Sequence, residues 1–440
     1  MSLTRLARAL IAMSVASTAA ALPAPNRYII TFDARAKQPD REAALKALDV
    51  TASRFIATDG DTDHEISFAL VDLPPGQTLP TDFTENICQD PKRCSRVLRR
   101  IIAVEKDRRF KWIESSRAAL PAPALPSLPS VMEDLDFLKG RSLPQTPMAF
   151  SLLAQRGEEP WGIKRVHASS AWAVCAHETV KTCEGAGVKV AVVDTGIDAT
   201  HPDLLGKVDG GYSAIAKTEN PSDYKDDNGH GTHVSGTIAA IKDAKGVVGV
   251  APSARLYAVK VLDAEGSGSI ADVVDGIVWV AKNRMDIANM SLGIQSDSDA
   301  IRRAIRSARG AGVVVVAAAG NTGGEVSYPG ALEDVITVSA SDYEDKLAPF
   351  SGRGPAVDFI APGVDIISDK MGGGIASYSG TSMAAPHVSG LAAIAIAQGY
   401  VGLYGPDGVM TQLKKAAVPL PKLSKNKQGA GMIDAGKLAR

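Results

Sequence analysis

The chain has 440 residues, 45% of them hydrophobic, and 48 Lys+Arg against 49 Asp+Glu leave a formal net charge of −1. That length suits more than one folding unit around a sizeable core. The even charge balance excludes bulk attraction to nucleic acid or an acidic membrane surface, so any partner must be recognised by a local site. With 41 Gly and 25 Pro the chain is not of low complexity, and four cysteines are too few for a disulfide scaffold.

Arg5 and Arg8 precede an apolar run from Ala9 to about Ala20 that ends in Ala19-Ala20-Ala21. This basic, apolar, small-residue order predicts a secretory signal peptide over residues 1–21. The run is shorter than the roughly 20 apolar residues a bilayer demands, and no later segment reaches that length, so the expectation is a secreted protein without a membrane anchor. In an oxidising compartment Cys88 with Cys94, and Cys175 with Cys183, are close enough in sequence to close small loops, reduced buried thiols being the alternative.

Residues 27–113 read as a compact α+β domain. Runs rich in β-branched and aromatic residues at Tyr28 to Phe32, Glu65 to Val71 and Ile101 to Val104 predict strands, and Arg41 to Leu48 has helical composition. The second run stops before the Pro74-Pro75-Gly76 turn signal. Residues 118–160 carry repeated prolines, which deny helix interiors their hydrogen bonds, and predict an extended linker.

From Trp161 onward, residues 161–440, the texture changes. Apolar runs at Val188 to Val193, Leu256 to Val261, Ile287 to Ser291, Val313 to Val316 and Val335 to Val338 are separated in places by helix-compatible stretches such as Ala271 to Lys282 and Ser298 to Arg309. The alternation predicts an α/β unit, a mostly parallel sheet with helices on both faces. Ligands of such sheets gather at the carboxyl ends of the strands.

Three clusters there carry chemistry. Asp194 follows the Val188 to Val193 strand and opens Asp194-Thr195-Gly196-Ile197-Asp198, a carboxylate on a rigid tip. His230-Gly231-Thr232-His233 follows the polar Asp226-Asp227-Asn228-Gly229 loop and leads into a small-residue helix. A helix N-terminus disfavours the imidazolium, which helps keep His230 neutral and able to accept a proton. His230 and His233 could instead share a metal, though no third ligand stands out at suitable spacing. Gly380-Thr381-Ser382-Met383-Ala384-Ala385-Pro386-His387 opens a helix of small residues, where free amides could hold a developing oxyanion. A serine hydroxyl becomes a nucleophile when a base takes its proton and a carboxylate orients that base. Asp194, His230 and Ser382 could provide the set.

The segments Ala191 to Asp198, His230 to Gly236 and Gly380 to His387 together resemble the three signature segments of the subtilisin-like serine proteases, and the order Asp, His, Ser matches that family. The resemblance spans about Trp161 to the C-terminus. It implies Asp194 as the orienting carboxylate, His230 as general base and then acid, Ser382 as nucleophile and Asn321 as the oxyanion asparagine. In subtilisin itself, loss of that donor costs about 10²–10³ in turnover, a magnitude belonging to that enzyme. It also implies Gly266, Ser267 and Gly268, with Ser291, Leu292 and Gly293, as two backbone segments that hold an extended polypeptide as an added strand. Ile270 and Val273 would wall an outer apolar pocket, and Ala317 to Gly320 with the region before Tyr328 would form the primary one; ordinary core packing is the alternative for both. Residues 27–113 look like the family's inhibitory propeptide, an intramolecular inhibitor.

Two departures from the family pattern stand out. The stretch between Asp107 and Trp161 is long, so self-cleavage could fall shortly after the propeptide or near Glu158-Glu159. Ile294 stands where a second glycine is common and would narrow or reshape the groove. Asp203 and the loop Lys242 to Gly246, with Asp243, resemble a structural calcium site of carboxylate and carbonyl oxygens, solvated surface carboxylates being the alternative; no cofactor is needed for catalysis. The expectation is a secreted serine endopeptidase acting on polypeptides through an acyl-enzyme and made as a self-processing precursor. A catalytically silent peptide-binding homologue is the rival.

Overall fold

A computed structural model describes residues 26–57, 66–81, 98–113, 159–176 and 182–438. The expected signal peptide, the bulk of the 118–160 linker and the Cys88 with Cys94 pairing lie outside the described residues.

Near the N-terminus, β1 (Arg27–Phe32), α1 (Gln38–Ala47), β2 (Arg54–Ala57), β3 (Ser67–Asp72) and β4 (Ile101–Lys106) build a four-stranded sheet of order β2-β3-β1-β4. β1 lies antiparallel to both β3 and β4. Tyr28, Ile30 and Phe32 face one core with Ala44, Leu45 and Val104, while Ile29, Phe68 and Leu70 on the other face join a core shared with the larger unit. Both faces of β1 are therefore covered, and the apolar run Tyr28 to Phe32 needs no alternation.

The short strand β5 (Arg109–Lys111) follows this sheet in the chain but pairs elsewhere. Next come α2 (Trp161–Arg165) and α3 (Ala168–Val174), and Cys175 is bonded to Cys183 with their Cα atoms 5.7 Å apart. The large sheet consists of β6 (Lys189–Asp194), β7 (Val208–Ser213), β8 (Arg255–Lys260), β10 (Ile287–Met290), β11 (Val314–Ala318), β12 (Ile336–Ser341) and β13 (Phe359–Pro362), in the order β13-β12-β11-β10-β6-β8-β7. Every neighbouring pair is parallel, as expected for strands that read as continuous apolar runs. β7 and β13 escape the sequence reading because glycines and a proline interrupt their apolar pattern.

Helices cover both faces. On one side α4 (His230–Ala239) and α7 (Thr381–Ala397) are packed into the larger core, and on the other α5 (Ile270–Lys282) and α6 (Asp299–Gly310) close a second core. Helix α7 is buried from Thr381 through Ala395, so its apolar residues surround the axis instead of forming a stripe. Helix α5 starts with a capping box of Ser269 and Asp272, and Ser298 caps α6 by accepting the Ile301 N–H. The small strand β9 (Ser267–Ser269) precedes α5, the hairpin β14 (Ile366–Asp369) and β15 (Ile375–Tyr378) precedes α7, and α8 (Val409–Ala416) follows it. No described helix is long and apolar enough to cross a membrane.

Candidate active site

Asp194 ends β6 near the centre of the sheet, and His230 is the first residue of α4. Two glycines let these segments touch. Gly231 has no room for a Cβ, which would fall 2.1 Å from the Gly196 carbonyl, and Gly196 sits at φ +108°, where other residues are strained. The result is a buried contact in which His230 Nδ1 lies 2.8 Å from Asp194 Oδ1 and 3.0 Å from Oδ2. Thr195 N–H donates to Asp194 Oδ1 as well.

Asp226 organises the start of the same helix. Its Oδ1 accepts from the Thr195 hydroxyl and the Asn228 and Gly229 amides, and its Oδ2 accepts from the Thr232 amide and hydroxyl. The side chain thus ties the β6 tip to the first turn of α4. His233 sits one turn further in, with Nε2 against the Ile366 and Ala376 carbonyls. Burial pushes it down to about 3, so it is neutral. No group of three or more possible metal ligands among the described residues contains either His230 or His233.

Ser382 is the second residue of α7. Its Oγ donates to the Ser291 carbonyl at 3.0 Å, and the Ser291 Oγ donates to the Ser382 carbonyl at 2.8 Å. The second bond has a cause in the sequence: Pro386, four residues on, has no N–H for that carbonyl. His230 Nε2 is buried without a hydrogen-bond partner. The structure therefore holds the hydroxyl on Ser291 rather than on the imidazole. Asn321 Oδ1 accepts from the Thr381 amide and hydroxyl, both at 2.9 Å, which leaves its amide nitrogen for other acceptors.

Ser382, Thr381, Asn321, Gly320, Ala318, Ser327, Leu292, Gly293 and Ile294 line one cleft of about 360 Å³. Ile294 exchanges backbone bonds with Tyr328 at 2.9 and 2.8 Å. The other walls are Gln295 and Ser296 and, from the N-terminal part of the chain, Phe110, Lys111 and Trp112. β5 lies antiparallel on β9, pairing Phe110 with Gly268 and Lys111 with Ser267. Beyond it the Gly266 carbonyl accepts the Trp112 and Ile113 amides, and the Trp112 carbonyl accepts the Gly293 amide. The Trp112 indole donates to the Gly268 carbonyl at 2.8 Å and packs in the core that holds Ile270, Val273 and Leu292. The expected peptide-holding residues thus come together around a segment of the chain itself, except that Ser291 bonds to Ser382. The sequence reading missed β5, a three-residue run of two basic residues and one aromatic with no apolar alternation.

The ligand atoms of Asp203 group with those of His201 and Asp369, all three buried, whereas Asp243 is exposed and its Oδ1 accepts the Lys245 N–H. His201 and Asp369 escaped the sequence reading because 168 positions separate them and neither sits in a recognisable ligand spacing.

Fold and site together define a serine endopeptidase, a hydrolase that needs no cofactor for catalysis. The chain belongs to the subtilase family, whose family model matches residues 185–431. It is similar to "Subtilisin Savinase" of Lederbergia lenta, 45% identical over 282 residues that cover 64% of this chain and 98% of that protein. It is also similar to "Alkaline protease" of Shouchella clausii, 45% identical over 282 residues, 64% of this chain and 70% of that protein. With "Subtilisin E" of Bacillus subtilis the identity is 46% over 244 residues, 54% of this chain and 61% of that protein.

Proposed function

We propose that this serine endopeptidase is made as a self-processing, secreted precursor in which residues 27–113 inhibit the catalytic unit until they are released. The observation that carries the reading is the strand pairing of Arg109–Lys111 on Ser267–Ser269, continued by Trp112 and Ile113 toward the cleft of Ser382. Main-chain pairing of this kind is indifferent to most side chains, so the same groove would take extended polypeptide substrates. The direction of the strand favours a cut shortly after Ile113 over one near Glu158-Glu159. The order of basic, apolar and small residues in 1–21 supports export.

In the reaction, Ser382 Oγ leaves the Ser291 carbonyl, passes its proton to His230 Nε2 and attacks the scissile carbonyl. Asp194 holds His230 in the tautomer with Nδ1 protonated and stabilises the imidazolium. Asn321 and the Ser382 amide at the start of α7 receive the oxyanion. His230 then protonates the leaving amine; water, deprotonated by the same imidazole, attacks the acyl carbon, and the imidazolium returns that proton to Ser382 Oγ as the acid leaves. The silent-homologue reading has no observation in its favour.

The test is a comparison of the full chain with Ser382→Ala. The parent is expected to cut itself shortly after Ile113 and to react with a fluorophosphonate probe, and the variant to remain full length and unlabelled. A parent that neither processes itself nor takes the probe overturns the proposal.

A further inference from the structure

Arg54 opens β2, the edge strand of the small sheet, and its side chain crosses to the large unit. Nη2 donates to the Tyr212 hydroxyl at 2.9 Å, and Nη1 lies 2.7 Å from Asp275 Oδ2. The Tyr212 hydroxyl in turn donates to the same Oδ2 at 2.9 Å, which closes a ring of three polar groups. Burial, and then the Asp275 charge, push the Tyr212 hydroxyl up to about 12, so it stays protonated and keeps its donor role.

Both groups that receive the guanidinium belong to the large unit. Tyr212 comes from β7 and Asp275 from the middle of α5. The Tyr212 ring stacks on that of Trp279, with centroids 6.0 Å apart, and the Trp279 indole donates to Glu219 at 2.7 Å. Lys217, just after β7, pairs with Asp272 at 2.7 Å and lies 3.4 Å from Asp275 Oδ2. These contacts set the hydroxyl and the carboxylate side by side without Arg54, so the notch is built before it is filled. The forked donors of a guanidinium match two such acceptors better than a compact ammonium does.

The strand order β2-β3-β1-β4 puts Arg54 on one edge of the small sheet. Glu105 and Asp107, on and just after β4, stand at the other edge and accept amides at the starts of α6 and α5. The two edges therefore carry opposite charge and meet complementary groups, which fixes one orientation of the docked sheet. The Asp275 side chain is 7% exposed and that of Arg54 30%, so the pair is screened less than one at the open surface. A cut shortly after Ile113 severs the chain but none of these contacts.

We propose that Tyr212 and Asp275 form a guanidinium-binding notch that keeps Arg54, and with it residues 27–113, docked on the catalytic unit after the chain has been cut, so that activity waits on release at this point. The inference rests on the reading of residues 27–113 as an inhibitory unit. It adds an anchor outside the cleft of Ser382, which none of these three side chains lines.

The test follows the full chain, at one fixed concentration, by the cut on a denaturing gel and by the onset of hydrolysis of a short chromogenic peptide. The parent is expected to be cut well before activity appears. Arg54→Met should leave the time of the cut unchanged and shorten the interval from cut to activity at least about 10-fold, since losing one partner of a nearly buried charged pair speeds dissociation. Arg54→Lys should fall between the two. Asp275→Asn and Tyr212→Phe, on the other side of the contact, should shorten the same interval, and Arg54→Met combined with Asp275→Asn should shorten it no further than Arg54→Met alone. Every variant should reach the parental kcat/KM once activation is complete. If Arg54→Met misfolds and is never cut, Asp275→Asn and Tyr212→Phe decide alone. An interval that these substitutions leave unchanged, or one that the double variant shortens additively, overturns the notch and leaves the inhibitory role of residues 27–113 standing. A parent that is never cut, or is fully active as soon as it is cut, overturns that role and the notch with it.

Discussion

At the residue scale, the candidate site relies on side chains that bond to backbone as much as to each other. Ser291 and Ser382 exchange hydroxyl-to-carbonyl bonds, made possible by the missing N–H of Pro386. Asp226 is the densest case, a buried acceptor for five donors. Whichever oxygen becomes the NH₂ in Asn then faces a backbone N–H that can only donate, Asn228 and Gly229 on one side and Thr232 on the other, so Asp226→Asn should destabilise the fold by about 1–3 kcal/mol. It should also lower kcat more than it raises KM, because the first turn carrying His230 loses its anchor while the peptide groove is untouched. Denaturant unfolding together with steady-state kinetics checks both parts. Asp194, His230, Ser382 and Asn321 were legible in the sequence because each lies in a short motif. Asp226 was legible only as part of a polar loop, its role being defined by donors that come from two separate elements.

At the element scale, β5 is the decisive piece, three residues that follow the small sheet in the chain and pair with β9 of the large unit. The indole of Trp112 anchors it, with only 2% of the residue exposed. Removing a buried aromatic side chain of that size costs about 3–5 kcal/mol. Trp112→Ala should therefore loosen the proposed inhibitory segment and shorten the lag before processed enzyme becomes active, measured as a time course of peptide cleavage; an unchanged lag would contradict that role. Most strands and helices were visible in the sequence to within a few residues because their apolar periods are strong, as with α5 and its capping box. The short strands were not, since pairing with a distant partner, and not local composition, makes them strands.

At the scale of the whole molecule, two carboxylates of the small sheet cap helices of the large unit. Glu105 accepts from the Ser298 hydroxyl and the Ala300 amide at the start of α6, and Asp107 accepts from the Ala271 amide at the start of α5. Burial pushes both upward, Asp107 to about 6 from an ordinary 3.8. A carboxyl whose pKa is raised in the docked state stabilises that state while protonated, so its contribution is complete below about pH 4 and is lost as pH rises through about 6. The shift corresponds to at most about 3 kcal/mol. Comparing denaturant midpoints of the Ser382→Ala chain with and without Asp107→Asn between pH 4 and pH 7 should show a difference that changes across this window and is flat above it. A difference independent of pH would remove Asp107 as the titrating group.

The sequence by itself determined the class of the protein, because a nucleophile, a base and an orienting carboxylate each sit in a local motif whose glycines and small residues are as informative as the reactive group. It also determined the parallel α/β sheet, since strands buried on both faces must read as apolar runs. Only the tertiary structure decided which strand fills the groove, where the Ser382 hydroxyl points, and that His201, Asp203 and Asp369 converge. Those facts arise from contacts between segments far apart along the chain, and no local pattern of residues encodes the distance between them.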